Sequence, residues 1–286
     1  MAAGDRTVAL IGPGRAGTTL GLALIDLGWR CVAVAGRAPD ASSTVAAAGA
    51  LGAPTSLVSE VGRNAELVIV ATPDRAIEHA LQTAAASIEA GALVIHLAGS
   101  RGLDVFADLQ QQRPDVRIGA LHPLQSFPSA SIGLERLSGS WAAIAGDHDV
   151  GELAGDLGMI PFPLADSERV RYHAAAVVAS NHLVAMLGQV ERLAASCGVP
   201  FDAFWPLVRA AVENAFMVGP ASALTGPIER GDLSTVEGHL RALDPGERDA
   251  YRALAREAAR LTGRRDTALD RLLGDMFQGP RPPPEA

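Results

Sequence analysis

The sequence predicts an α/β domain built on a largely parallel sheet, followed by an all-α domain. Three observations carry that prediction. Short β-branched runs alternate with alanine-rich stretches up to about residue 163, a glycine-rich turn at 12–17 follows the first run, and no convincing strand occurs after Ser167. A chain of 286 residues accommodates about two domains of ~100–200 residues each. We place them at 1–164 and 165–278, with a disordered, proline-rich tail at 279–286.

Seven strands are expected, at Thr7–Ile11, Arg30–Ala35, Leu67–Ala71, Leu93–Leu97, Val116–Leu121, Trp141–Ala145 and Met159–Pro163. Most are short apolar runs bounded by turn residues, as strands buried on both faces should be. A helix over Ala16–Leu27, ended by Gly28, supplies the crossover between the first two. Beyond Pro163, Asp166 or Ser167 can cap one long helix to about Ser196, which Gly198-Val199-Pro200 stops. A helix over Phe201–Phe216 and a turn-rich loop over Gly219–Asp232 follow. Ser234–Glu237 reads as a capping box opening a helix through Leu243, and two more helices fill Glu247–Leu261 and Asp266–Met276.

Composition excludes several functions. All 24 Lys+Arg residues are arginine, so no lysine Schiff base, general acid or phosphate clamp can operate. The net charge of −8, without a dense basic stripe, argues against nucleic acid. Cys31 and Cys197 form no CxxC pair or disulfide framework, and no cluster suggests a metal site. The N-terminus lacks a cationic signal region, and the most apolar stretch, Ala174–Leu187, is interrupted by Ser180, Asn181 and His182. A cytoplasmic protein without a membrane span is expected.

The strongest local signal is Val8-Ala9-Leu10-Ile11 leading into Gly12-Pro13-Gly14-Arg15-Ala16-Gly17 and a helix, the strand–turn–helix context of a dinucleotide-binding fingerprint. Gly12 allows the tight turn, Gly14 admits the pyrophosphate, and Gly17 lets helix and strand pack closely, with the helix N-terminus holding the anion. After the second strand, where an NAD site would carry an acid, the chain has Gly36-Arg37. Arg37, with Ser42 or Ser43, suits a 2′-phosphate and favours NADP(H); the plain alternative is a solvated loop charge. Ala71-Thr72-Pro73 and Ala98-Gly99 end later strands on the cofactor side. His96, in the strand before Ala98, reads as a core histidine rather than a catalyst.

His122 ends a strand on the same side and is held extended by Pro123. It is the candidate for moving a proton as hydride transfers, unless His122-Pro123 merely shapes a turn. Ser126 lies just beyond, as a substrate-binding candidate. On the long helix, His173, Val177 and Asn181 fall at i, i+4 and i+8. Asn181 either orients a substrate carbonyl or ties helices together. In the loop Leu224–Asp232, Thr225 and Arg230 are substrate-binding candidates with Asn214 from the preceding helix; Arg230 either holds an anion or pairs with Asp232.

At these residues the chain resembles a functionally uncharacterised family described as NADP oxidoreductases, which join a Rossmann-like domain to a helical C-terminal domain of unknown function. The resemblance runs through Gly12–Gly17, Gly36-Arg37, Ala71-Thr72-Pro73, His122–Phe127, Ser180-Asn181 and Leu224–Asp232 with Thr235, His239 and Leu240. The architecture is similar to that of pyrroline-5-carboxylate reductase, ketopantoate reductase and prephenate dehydrogenase, which implies a cofactor cleft between domains and a homodimer through the helical domain. Ketopantoate reductases and the 3-hydroxyisobutyrate and 6-phosphogluconate dehydrogenases depend on a catalytic lysine that this chain lacks. Prephenate dehydrogenases carry a similar His-Pro, but Gln125-Ser126-Phe127 replaces their following glycine. The expectation is an NADP(H)-dependent oxidoreductase acting on a small anionic carbonyl or imine. Two alternatives stay open: an NADP-sensing regulatory protein without turnover, and a deazaflavin-linked NADP reductase.

Overall fold

In the computed structural model, which describes residues 6–263 and 267–274, the apolar runs become one eight-stranded sheet. Its strands are β1 (Thr7–Ile11), β2 (Arg30–Ala35), β3 (Thr55–Ser56), β4 (Leu67–Val70), β5 (Leu93–His96), β6 (Arg117–Pro123), β7 (Trp141–Gly146) and β8 (Ile160–Pro163). They lie in the order β3-β2-β1-β4-β5-β6-β7-β8, parallel throughout except between β6 and β7. β3, two residues at one edge, is the strand the sequence reading does not contain. At the other edge β8 carries Pro161 and Pro163.

Alternation along the strands explains why they read as unbroken apolar runs. Val8, Leu10, Leu67 and Ile69 enter a core on one face, with Leu20 and Leu24 of helix Arg15–Asp26. Ala9, Ile11, Val68 and Val70 enter a core on the other, with Ile77 and Leu81 of helix Ile77–Ala84. Both faces of the sheet are thus covered by helices, as wound parallel sheets require. Strand order reverses at β1, which has β2 on one side and β4 on the other. The crevice at the carboxyl ends of β1 and β4 is therefore the topological switch point, where such sheets take their ligands.

The chain divides into two compact units, Met1–Leu183 and Val184–Ala286. The first continues past the 164/165 boundary read from sequence to include helix Arg169–Val177 and the turn Val178–His182. That turn is π-helical, so the single long helix expected from 166 to 196 is interrupted at the Ser180-Asn181-His182 segment before helix Leu183–Ser196 begins. The second unit packs helices Leu233–Ala242, Pro245–Leu261 and Thr267–Leu273 around Val236, Leu240, Ala255, Ala259, Leu269 and Leu273. Its loop at 219–232 contains two short helical turns, Pro220–Ala223 and Pro227–Arg230. The cap of helix Leu233–Ala242 is Asp232 rather than Ser234, because the carboxylate takes the Thr235 N–H at 3.1 Å and both neighbouring hydroxyls. Among the described residues no helix is long and apolar enough to cross a membrane. The tail at 279–286 lies outside the described residues.

Candidate active site

The glycine-rich turn is shaped by what surrounds it. Gly12 has φ +90° and donates its N–H to Ala35 O at 2.8 Å; a β-carbon there would stand 2.6 Å from the Ala71 carbonyl carbon and from Thr72 N. A β-carbon on Gly17 would stand 2.7 Å from that of Ala71. At Gly14 it would meet nothing within 4 Å, so this glycine keeps an open approach rather than a packing contact. Gly14 is also the N-cap of helix Arg15–Asp26, which has no side-chain cap and no acid in its first turn. The free N–H groups of that turn and the helix dipole suit an anion, and Pro13, Arg15 and Ala16 line the same turn. The Arg15 guanidinium reaches the Pro128 carbonyl at 3.5 Å.

The end of β2 discriminates further. Gly36, where a β-carbon would overlap Thr44 Oγ1, packs closely on that side chain and offers no carboxylate near the position where an NAD site would carry one. Arg37, Ser42 and Ser43 are all exposed, and the two serines open helix Ser42–Ala50, which likewise has no side-chain cap. At the end of β4, Ala71 N–H donates to Ile11 O at 2.7 Å, while Thr72 Oγ1 is buried without a hydrogen-bond partner among the described residues. Pro73 follows, exposed.

His96 is a structural residue. It is fully buried, stacks on Phe106, accepts the Ala98 N–H on Nδ1 at 3.2 Å and faces Gly102 O from Nε2 at 3.1 Å. With Nδ1 accepting, Nε2 carries the proton and donates it to that carbonyl. Burial pushes its pKa down to about 4. Ser100 donates to Asp74 at 2.5 Å and Leu103 N–H to Asp166 at 2.8 Å, so the loop carrying Ala98 and Gly99 is tied down along its length.

His122 is half-buried, and its Nδ1 lies 2.8 Å from the Tyr172 hydroxyl. The ring meets that of Tyr172 edge-on and that of His173 at 5.7 Å between centroids. Burial first, then His173 and Arg169, push the His122 pKa down to about 4, while burial pushes the Tyr172 phenol up to about 12. Both are neutral near pH 7, and one proton lies between Nδ1 and the phenol oxygen in either tautomer. His122 Nε2 and His173 Nδ1 converge on Gly99, at 2.8 and 2.5 Å from where its β-carbon would be.

Other sequence candidates lie elsewhere. Ser126 is exposed, its N–H held by the Gln125 side chain at 2.8 Å. Asn181 is exposed in the π turn and accepts from the Ser180 hydroxyl at 3.0 Å. The wider turn breaks the row through His173, Val177 and Asn181, which assumed an uninterrupted α-helix. Asn214, Thr225 and Arg230 are exposed positions of the second unit. There His239 bonds the Tyr251 hydroxyl at 2.8 Å, an interhelical contact. Sequence reasoning missed Arg169 and Tyr172 and named His173 only as a member of a helix face. Asp147, His148 and Asp149 could group about a cation, but Arg117 already pairs with both carboxylates. A surface depression of about 1190 Å³, lined by Arg6, Trp29, Glu66 and Arg117, opens at the opposite, amino-terminal end of the strands.

The comparisons agree with the fold. A Rossmann-like domain model matches residues 3–123, and a model of a domain of unknown function, DUF2520, matches residues 143–258. The chain joins a Rossmann-like domain to a DUF2520 domain. The DUF2520 match begins within β7 and so takes in the last sheet strands as well as helices. Among solved structures, the putative NADP oxidoreductase from Bacteroides fragilis is 27% identical, with a TM-score of 0.78 over 90% of this chain and 98% of that one. An imine reductase from Myxococcus stipitatus in complex with NADP+ shares the fold at 17% identity and a TM-score of 0.61, covering 92% and 98% of the two chains. The pyrroline-5-carboxylate reductase from Coxiella burnetii does so at 17% identity and 0.56, covering 91% and 99%. No curated protein matches the chain.

Proposed function

We propose that this protein is an NADP(H)-dependent oxidoreductase acting on a small carbonyl or imine, with His122 moving the proton. The observation that carries the reading is the placement of His122 Nε2 against Gly99, at the carboxyl end of β5, in a sheet whose switch point holds the Gly12–Gly17 turn. The open face of Gly14 and the uncapped N-terminus of helix Arg15–Asp26 fit a pyrophosphate, and Arg37 with Ser42 and Ser43 fits a 2′-phosphate. Thr72 Oγ1, buried and without a hydrogen-bond partner among the described residues, is a further polar group for the cofactor at the switch point. When bound, the nicotinamide supplies or accepts hydride. His122, held by Tyr172, then takes the proton from an alcohol or amine, or returns it to the oxygen or nitrogen. Asn181, in a π turn of the kind that recurs at functional sites, is our candidate for orienting the reacting group.

The test has two arms. Dissociation constants for NADPH and NADH, measured on wild type and Arg37→Ala, should differ at least tenfold in wild type and converge in the variant; equal affinities in wild type overturn the cofactor choice. NADPH absorbance followed with a panel of 2-oxo acids and cyclic imines should show turnover that His122→Ala reduces at least a hundredfold. Binding without turnover across the panel would instead favour a cofactor-sensing protein.

Helix Trp205–Val218 has no buried residue, and Leu207, Phe216 and Met217 are 67%, 89% and 77% exposed. So large an apolar face suits a second copy of this chain. Light scattering should return twice the chain mass, and Phe216→Asp should return one chain mass; a monomeric wild type sinks the proposal.

A further inference from the structure

Arg169 opens helix Arg169–Val177 and heads the fully buried side chains by volume. Its Nε–H donates to Asp166 at 3.3 Å, yet both terminal nitrogens are buried with no hydrogen-bond partner among the described residues. One helical turn on, His173 Nδ1 is buried and unpartnered as well. An arginine this enclosed normally satisfies most of its five N–H donors, because leaving a buried cation unpaired is costly. The acids nearby are engaged elsewhere: Asp166 is shared with Leu103 N–H, Asp74 holds Ser100, and Glu78 pairs with Arg101. His96 and Tyr172 are likewise committed, to Gly102 O and His122. The cluster thus has guanidinium and imidazole nitrogens to spare and, beyond Asp166 on Nε, no anion among the described residues to meet them.

We propose that Arg169, with His173 beside it, forms a binding site for a carboxylate group, so that the substrate is a small carboxylic acid carrying the carbonyl or imine that reacts at His122. The second half of that statement rests on the oxidoreductase reading; carboxylate binding by Arg169 does not. It moves the anion-holding role from Arg230, an exposed residue of the second unit, to a buried one in the unit that contains His122. The guanidinium is closed from solvent, so the anion enters through local opening of the chain around it.

Acetate, with neutral acetamide as its isostere, tests the site without cofactor or turnover. At constant ionic strength set by a bulky sulfonate, acetate should raise the melting temperature of wild type by about 5 °C once it exceeds its Kd a hundredfold, and acetamide should not. Arg169→Met should abolish the acetate response, keep NADPH affinity, and melt higher than acetate-free wild type, since a buried guanidinium with two unsatisfied terminal nitrogens has been replaced by an apolar chain of similar length. Arg230→Ala should keep the full response. No difference between acetate and acetamide in wild type, an equal acetate response in Arg169→Met, a response lost in Arg230→Ala, or a stronger response to chloride or phosphate than to acetate would each overturn the assignment. The wild-type comparison stands even if Arg169→Met does not fold. Acetate binding without NADPH turnover would keep the carboxylate site and remove the oxidoreductase reading.

Discussion

Gly99 and His122 leave no room for a side chain between them: a β-carbon on Gly99 would stand 2.8 Å from His122 Nε2. The same point lies 2.5 Å from His173 Nδ1, so one missing β-carbon lets two imidazoles converge on the end of β5. Gly99→Ala should therefore push both rings aside. The expected cost is about 1–3 kcal/mol of stability, with turnover down at least tenfold and NADPH affinity within threefold of wild type. Thermal melts, steady-state rates and cofactor titration check it, and unchanged turnover would show that the ring positions do not matter.

Gly12 and Gly14 should separate folding from binding. Gly12→Ala forces a β-carbon against the backbone of Ala71 and Thr72 at positive φ, so the cofactor-free protein should melt several degrees lower. Gly14→Ala meets no protein atom, so its melting temperature should match wild type while NADPH affinity falls at least tenfold. The two variants, melted and titrated side by side, should give opposite signatures.

Two histidines make stability depend on acid. The pKa values of His96 and His122 are pushed down to about 4 in the folded chain, against about 6.5 unfolded. Above pH 6.5 both states are neutral and neither residue contributes. As pH falls from 6.5 to 4 the unfolded chain binds protons that the folded one refuses, so stability drops, levelling off below 4. The loss is about 3 kcal/mol per histidine. Urea midpoints between pH 4 and 8 should show this slope, and His96→Gln should flatten part of it.

Turnover should report the same depressed pKa. With His122 neutral at pH 7, proton acceptance in the oxidative direction should be insensitive to pH above about 5. In the reductive direction kcat/KM should rise about tenfold per unit as pH falls from 7 to 5, because only the protonated imidazole donates readily. Arg169→Met, which removes one of the influences lowering the His122 pKa, should shift that limb upward in pH.

Tyr172 is a positioning residue for His122. Tyr172→Phe keeps the ring packing but removes the hydroxyl 2.8 Å from Nδ1. We expect kcat to fall tenfold to a hundredfold with KM within twofold, and the reductive pH limb to move. A change confined to melting temperature would make the hydroxyl purely structural.

Much of the sheet was legible because a parallel strand covered on both faces needs apolar residues at every position; β1, β4 and β5 announce themselves for that reason. β3 did not, since Thr55 and Ser56 add backbone pairing to Val34 and Ala35 without an apolar run. The π turn was hidden in a stretch whose composition suits an α-helix equally. The nucleotide turn was readable because glycine requirements are local, whereas the cluster beside His122 depends on tertiary burial. Arg169 and Arg171 are two residues apart and chemically identical, yet their side chains are 0% and 83% exposed. Nothing in the local pattern distinguishes them; only the packing of helix Arg169–Val177 does.

Both edges of the sheet are poor templates for another strand. β3 offers two residues of pairing length, and in β8 Pro161 and Pro163 have no N–H to donate to an incoming chain. A wide, largely apolar sheet is thereby kept from growing edge to edge into aggregates. Replacing both prolines with valine should leave the monomer fold intact while making the protein markedly more prone to precipitate on concentration or partial heating.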